Sequence, residues 1–147
     1  MERFLDPYRR WRRYVGPDLE PVWHDDHLAV AGLNTARRVA LDVNWSHGRV
    51  NARQLARIDR HFAGLPGNLF RIVVAHHPFL PPVEAPQTRL VKRARHAVEM
   101  FGRANVGLVL SGHLHRAYAA SPSRPTFDAA ERMGPLLVVH ASTATST

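Results

Sequence analysis

The fold is decided by the stretch Val106-Gly107-Leu108-Val109-Leu110-Ser111-Gly112-His113-Leu114-His115. Its short apolar run predicts a buried strand, and the glycine and histidines that follow predict a loop. A second stretch has the same form, with the strand Phe70 to Ala75 followed by His76-His77-Pro78. A predicted helix lies between them. In open α/β sheets the loops beyond the carboxyl ends of strands converge, so this pattern predicts an α/β fold whose histidines meet at one edge of the sheet.

The rest of the chain alternates between short helices and strands. A three-to-four-residue spacing of apolar side chains predicts a helix beginning after Asn51. A hairpin is predicted around Asp25-Asp26. The remaining predicted elements are a helix at 3–14, strands at 21–24 and 27–33, a helix lined by 90–101, and strands at 116–120 and 136–140.

Composition predicts one ordinary domain with its own core. The chain has 147 residues, 45% of them hydrophobic, which suits a single domain spanning residues 1–147. It has no cysteine, which excludes disulfides and thiolate zinc sites, so a metal would need histidine and carboxylate ligands. No apolar run approaches the roughly 18 residues of a membrane span. We expect no membrane partner and a cytoplasmic location.

The charge is strongly positive. Lysine and arginine number 20 against 12 acidic residues, for a net charge of +8. The densest cluster lies on the first predicted helix and consists of Arg9, Arg10, Arg12 and Arg13. Such a cluster can contact the phosphates of a nucleic acid, but charge runs are more often solvated helix faces. The sequence therefore allows nucleic acid only as a substrate or as a weak ligand of this basic patch.

The two histidine blocks resemble those of the calcineurin-like metallophosphoesterases. The blocks are Val73-Val74-Ala75-His76-His77-Pro78-Phe79 and Leu110-Ser111-Gly112-His113-Leu114-His115. Flanking segments resemble a bacterial branch of the same family, and these are 32–37, 47–51 with Gln54-Leu55, and 141–147. The family's three earlier blocks, Asp-x-His, Gly-Asp and Gly-Asn-His-Asp/Glu, have no counterpart here. We therefore expect a partial domain, an internal piece of a longer enzyme.

The resemblance implies a fold and an activity. The fold would be part of a two-sheet β-sandwich flanked by helices (αββα), incomplete here. With half of the sandwich missing, Val73, Val109 and Val139 are expected to lie on an uncovered apolar face, and the isolated chain to be poorly soluble. The activity would be hydrolysis of phosphodiesters or phosphomonoesters with two divalent ions, which could be Mn, Fe, Co or Zn.

The resemblance also assigns residues. His76 and His113 would bind one ion, and His115 the other. The carboxylate and amide ligands, and the histidine that acts as general acid, would come from the missing blocks. His77 and His47 are candidate substrate contacts. Because a catalytic zinc-like ion needs about three protein ligands, the chain alone is expected to be inactive.

Two alternatives stay open at this stage. In one, the chain is a non-catalytic basic module that binds nucleic acid or a protein and has kept only the scaffold. In the other, a second polypeptide supplies the missing ligands. Binding that weakens with salt and needs no metal would favour the first alternative.

Overall fold

The computed structural model describes residues 6–36, 48–122 and 134–142. These residues form helices and strands in alternation, as the sequence predicts. The elements are α1 (Arg9–Tyr14), β1 (Val22–His24), β2 (Leu28–Leu33), α2 (Ala52–Ala63), β3 (Phe70–Ala75), α3 (Ala94–Arg103), β4 (Val106–Ser111), β5 (Tyr118–Ala120) and β6 (Leu137–His140).

The strands form one six-stranded sheet in the order β1-β2-β3-β4-β6-β5. The four inner strands β2, β3, β4 and β6 are mutually parallel, and the two edge strands are antiparallel to their neighbours. The predicted β1–β2 hairpin is confirmed. Its turn is held by the Asp25 carboxylate, which accepts hydrogen bonds from the backbone N–H of His27 at 2.8 Å and of Leu28 at 2.7 Å.

Helix α2 begins with a capping box. The Asn51 side chain accepts from the Gln54 N–H at 2.9 Å, and the Gln54 side chain accepts from the Asn51 N–H at 2.8 Å. These bonds satisfy backbone donors that the first helical turn leaves unpaired. The sequence predicts an apolar stripe of Leu55, Ile58, Phe62 and Leu65. The first three are buried on α2, whereas Leu65 follows the end of the helix and is half-buried. The core therefore lies between α2, α3 and one face of the sheet.

The expectation about the exposed face was wrong for two residues. Val73 and Val109 are both 0% exposed and belong to the core beneath the helices. The large side chains on the other face are the exposed ones, namely Phe70 (48%), Val74 (40%), Leu110 (36%) and Leu137 (41%). Strands of a parallel sheet are apolar on both faces, so their sequence does not show which face the helices cover.

The described residues thus form an α/β fold with a six-stranded sheet flanked by helices. Helix α1 borders a groove of about 560 Å³ on the open side, whose floor includes Val30 and Val74. Within the described ranges, every helix falls short of the length and apolar character needed to cross a membrane.

Candidate metal centre

The site forms where neighbouring parallel strands end. Strand β3 ends at Ala75 and β4 ends at Ser111, so His76 and Gly112 leave the sheet side by side. The pairing continues past the strand ends, because the Gly112 N–H donates to the His76 carbonyl at 2.9 Å. Strand β6 ends at the same edge, where the Ala141 N–H donates to the Ser111 carbonyl at 2.8 Å. Three chain segments therefore leave one edge of the sheet together. The sequence pattern predicts two of them, the segments after β3 and β4.

Three histidines gather at this edge. His76 Nε2 lies 3.1 Å from His113 Nδ1. One ring nitrogen from each of His76, His77 and His113 lies within 4.8 Å of the others, and within the described ranges this is the one such group of potential metal ligands. The structure therefore brings together two of the predicted ligands, His76 and His113, and adds His77 beside them.

The spacing of these nitrogens fits a metal ion. Zinc–imidazole bonds of about 2.0–2.1 Å in a tetrahedral site place two nitrogens about 3.3 Å apart. The His76–His113 separation of 3.1 Å is close to that value. Imidazole donors suit Zn, Fe, Co or Cu better than Mg or Ca, which prefer oxygen. The donor set therefore fits a transition metal.

The backbone around the second histidine block is unusual. His113 has φ 89° and His115 has φ 56°, and both values are rare for residues other than glycine. Such conformations cost roughly 1–3 kcal/mol each and tend to cluster at functional sites. The Ser142 hydroxyl donates to the His115 carbonyl at 3.1 Å and helps to hold this loop. The His115 side chain is exposed and lies outside the three-histidine group.

His77 is buried, with 6% of its surface exposed. Its Nδ1 lies 2.7 Å from the Thr35 hydroxyl, which also accepts from the His77 backbone N–H at 3.3 Å. The ring lies against Gly48, where a side-chain Cβ would come within 2.5 Å of His77 Cγ. The contacts of Thr35 and Gly48 were not predicted from sequence, because they join residues far apart in the chain. His47, the other candidate substrate contact, lies outside the described residues.

The Glu20 carboxylate orders the loop that carries Thr35. It accepts a hydrogen bond from the Asn34 N–H at 3.1 Å and pairs with Arg57 at 3.4 Å. The Gln54 amide also donates to it. Helix α2 therefore anchors the segment directly before Thr35, and through it the surroundings of His77.

Electrostatics at this edge favours neutral imidazoles. Burial lowers the pKa of His76, and the neighbouring His140 and His115 lower it further. Burial likewise lowers the pKa of His140, although hydrogen bonding to the Arg116 backbone opposes this effect. A neutral imidazole is the form that binds a metal. The surroundings of His76, the proposed ligand among these two groups, therefore favour its neutral form.

His140, for which the sequence suggested no role, is 1% exposed. Its ring stacks on Tyr118 with centroids 4.8 Å apart, and its Nδ1 donates to the Arg116 carbonyl at 3.1 Å. Burial raises the pKa of Tyr118 to about 12, and its hydroxyl donates to the Leu80 carbonyl at 2.7 Å. His140 and Tyr118 thus form a packed, hydrogen-bonded pair next to His76.

Comparisons with known proteins give a limited result. No family model matches the chain, and no curated protein matches it. Among solved structures 13 chains match. One is described as "GAP50 the anchor in the inner membrane complex of Plasmodium", with 15% identity and a TM-score of 0.48. The match covers 87% of this chain, which spans 38% of that structure.

Proposed function

We propose that this chain supplies the histidine part of a dinuclear metal centre that hydrolyses phosphate esters, as in the calcineurin-like metallophosphoesterases. The observation that carries the proposal is the 3.1 Å approach of His76 Nε2 and His113 Nδ1 beyond the ends of two adjacent parallel strands. The two residues belong to the blocks that resemble the family. Two strand-end histidines at this spacing could bind one metal ion together, as part of its ligand set.

In this proposal His76 and His113 bind one divalent ion and His115 binds the other. When bound, two divalent ions polarise the phosphoryl oxygens and lower the pKa of water, which gives a nucleophile at neutral pH. The residues of this chain hold and orient that centre. The carboxylate and amide ligands, and the proton donor for the leaving group, are proposed to come from residues outside this sequence.

We also propose that the six-stranded sheet is one half of a two-sheet sandwich. The open face of the sheet would be the inner face of one half of an αββα sandwich. The exposure of Phe70, Val74, Leu110 and Leu137 supports this assignment, because parallel sheets are ordinarily covered on both faces. A second sheet over these side chains would also bring further strand ends to the edge where the histidines lie.

The first test measures metal binding by this chain. Isothermal titration with Zn²⁺ or Mn²⁺ should show one site that His76→Ala or His113→Ala abolishes. His96→Ala is the matched control, because His96 is exposed on α3 and is not a member of the three-histidine group. Binding that the first two variants leave unchanged would contradict the proposed ligands.

The second test measures hydrolysis. The protein encoded by the complete reading frame should hydrolyse bis(p-nitrophenyl) phosphate or p-nitrophenyl phosphate when loaded with Mn²⁺, and His115→Ala should abolish this activity. Residues 1–147 alone should be inactive. Hydrolysis that survives chelation and loss of His115 would contradict the proposed chemistry.

One observation favours a second candidate, the basic binding module. Helix α1 buries none of its residues, and its arginines are exposed, with Arg12 paired to Asp6 at 3.3 Å. The test is fluorescence anisotropy with a labelled DNA duplex in chelator. Binding that falls steeply with salt and is lost when Arg9, Arg10 and Arg13 are replaced by serine would favour this module. No binding without metal would exclude the nucleic-acid-binding form of this module.

A further inference from the structure

Building on the proposed metal site, we infer that His77 is a third imidazole ligand of the ion held by His76 and His113, and that Thr35 and Gly48 position it. The family resemblance gives ligand roles to His76, His113 and His115, and treats His77 as a substrate contact. The geometry points to a different role. His77 is 6% exposed and lies beside the two proposed ligands.

The three rings form a compact group. The ring centroid of His77 lies 4.6 Å from that of His113 and 4.9 Å from that of His76. Their candidate ligand atoms lie within 4.8 Å of one another. Nitrogens around one transition metal are about 3–4 Å apart. A small closure of the side chains would therefore bring all three nitrogens to one ion.

Thr35 determines which nitrogen of His77 faces the metal. The Thr35 hydroxyl engages Nδ1 at 2.7 Å, so a metal would bind Nε2. Metal-binding histidines generally hydrogen-bond through the other ring nitrogen, and this bond fixes the tautomer and the ring orientation. Thr35 is itself 1% exposed. A hydroxyl this deeply buried keeps a fixed position and acts here as a positioning residue.

Gly48 provides the space for the ring. A Cβ at this position would lie 2.5 Å from His77 Cγ and 2.7 Å from His77 Cε1, well inside van der Waals contact. The Gly48 backbone is also anchored, because the Lys92 N–H donates to its carbonyl at 2.9 Å. The next residue, Arg49, donates its N–H to the Thr35 carbonyl at 2.9 Å. The glycine and the threonine therefore hold His77 as one connected unit.

A third imidazole changes what this chain can do by itself. Three protein ligands are the number that catalytic zinc sites use, with the fourth position open. The chain would then hold one ion without any carboxylate from elsewhere. In a longer protein, these three histidines could bind the ion before the remaining ligands coordinate it. The family resemblance, by contrast, gives this ion only two histidines from this chain, His76 and His113.

The test counts imidazoles on a bound metal. The chain is loaded with Co²⁺, and X-ray absorption at the cobalt edge should find three imidazoles in the wild type and two in His77→Phe, which keeps a ring of similar shape. The Co²⁺ affinity should fall by about 10–100-fold in Thr35→Val, the usual effect of losing a partner of a metal-binding histidine. Thr35→Ser keeps the hydroxyl and should restore the affinity. His96→Phe, on an exposed site of α3, is the control.

The outcomes separate this inference from the proposed function. An unchanged imidazole count in His77→Phe, with metal binding lost in His76→Ala and His113→Ala, would refute the role of His77 and leave the proposed centre standing. Binding that none of the three variants affects would refute both. If His77→Phe fails to fold by circular dichroism, the comparison of Thr35→Val with Thr35→Ser decides the question, and equal affinities in that pair would overturn the inference.

Discussion

Replacing Gly48 by alanine should destabilise the protein through a single contact. The added Cβ would lie 2.5 Å from His77 Cγ and 2.7 Å from His77 Cε1. An unstrained carbon–carbon contact needs about 3.5 Å, so the ring has to move by about 1 Å. The same ring is hydrogen-bonded to the Thr35 hydroxyl through Nδ1, at 2.7 Å. The movement would therefore break a buried hydrogen bond.

The expected cost follows from these contacts. Overpacking a filled site costs about 1–3 kcal/mol, and loss of a buried hydrogen bond costs about 1 kcal/mol. Gly→Ala offsets about 0.4–1 kcal/mol of this cost, because alanine lowers the conformational entropy of the unfolded chain. The free energy of unfolding should therefore fall by about 2 kcal/mol, as measured by urea denaturation. Gly67→Ala is the matched control, because nothing lies within 4 Å of a Cβ at Gly67. Its stability should change by no more than about 0.5–1 kcal/mol.

A double-mutant cycle isolates the contact. If the clash with His77 is the cause, Gly48→Ala should cost much less in a His77→Ala background than in the wild type. The coupling free energy should then be about 1–2 kcal/mol. Additive effects of the two substitutions would refute the reasoning, since the destabilisation would then come from another source.

Three further predictions concern stability and association. Burial lowers the pKa of His61 below its ordinary value of 6.5, and His24 and Arg57 lower it further. As the pH falls through 6.5, the unfolded chain therefore binds more protons at His61 than the folded chain does, and the free energy of unfolding decreases. His61→Gln should flatten the decline in unfolding free energy between about pH 7.5 and about pH 5 in urea titrations, and an unchanged slope would contradict this assignment. Asn51→Ala removes the capping box of α2 and should cost about 1 kcal/mol, lowering the melting temperature by a few degrees, whereas the exposed neighbour Arg53→Ala should have little effect. Replacing Leu110 and Leu137 by lysine should reduce self-association in sedimentation velocity, because both side chains lie on the open face of the sheet. Val83→Lys, at an exposed loop position, is the control and should leave self-association unchanged. Equal effects of the two changes would argue against association through the sheet.

Local patterns in the sequence predicted much of the fold. The β1–β2 hairpin follows from Asp25, whose side chain closes the turn with two backbone bonds. The start of α2 follows from Asn51, and its buried face from the spacing of Leu55, Ile58 and Phe62. In each case the determining contacts join residues a few positions apart. Such contacts leave a periodic or capping signal in the sequence.

The candidate site could be predicted only in part. The histidines after β3 and β4 were expected to meet, because parallel strands end at one edge, and His76 and His113 do meet. The burial of His77 and its bond to Thr35 could not be foreseen, since the two residues are 42 positions apart. The assignment of His115 to a second ion stays a prediction.

The orientation of the sheet was the other point that the sequence could not supply. Val73 was expected on the open face but lies fully in the core, whereas its neighbour Val74 is exposed. The side chains on the exposed side of β3 are apolar, and its one charged residue, Arg71, lies on the buried side with Val73. No polar side chain therefore marks the side of the strand that faces solvent. Packing of α2 and α3 determines which face of the sheet is buried, and that packing depends on contacts between distant parts of the chain.

The most direct test of the metal centre is anomalous diffraction from crystals of the chain soaked in zinc. We expect one strong difference peak at the zinc edge, within bonding distance, about 2.1 Å, of both His76 Nε2 and His113 Nδ1. His113→Ala should remove this peak. Zinc bound at other histidines, with no density between His76 and His113, would contradict the proposed centre.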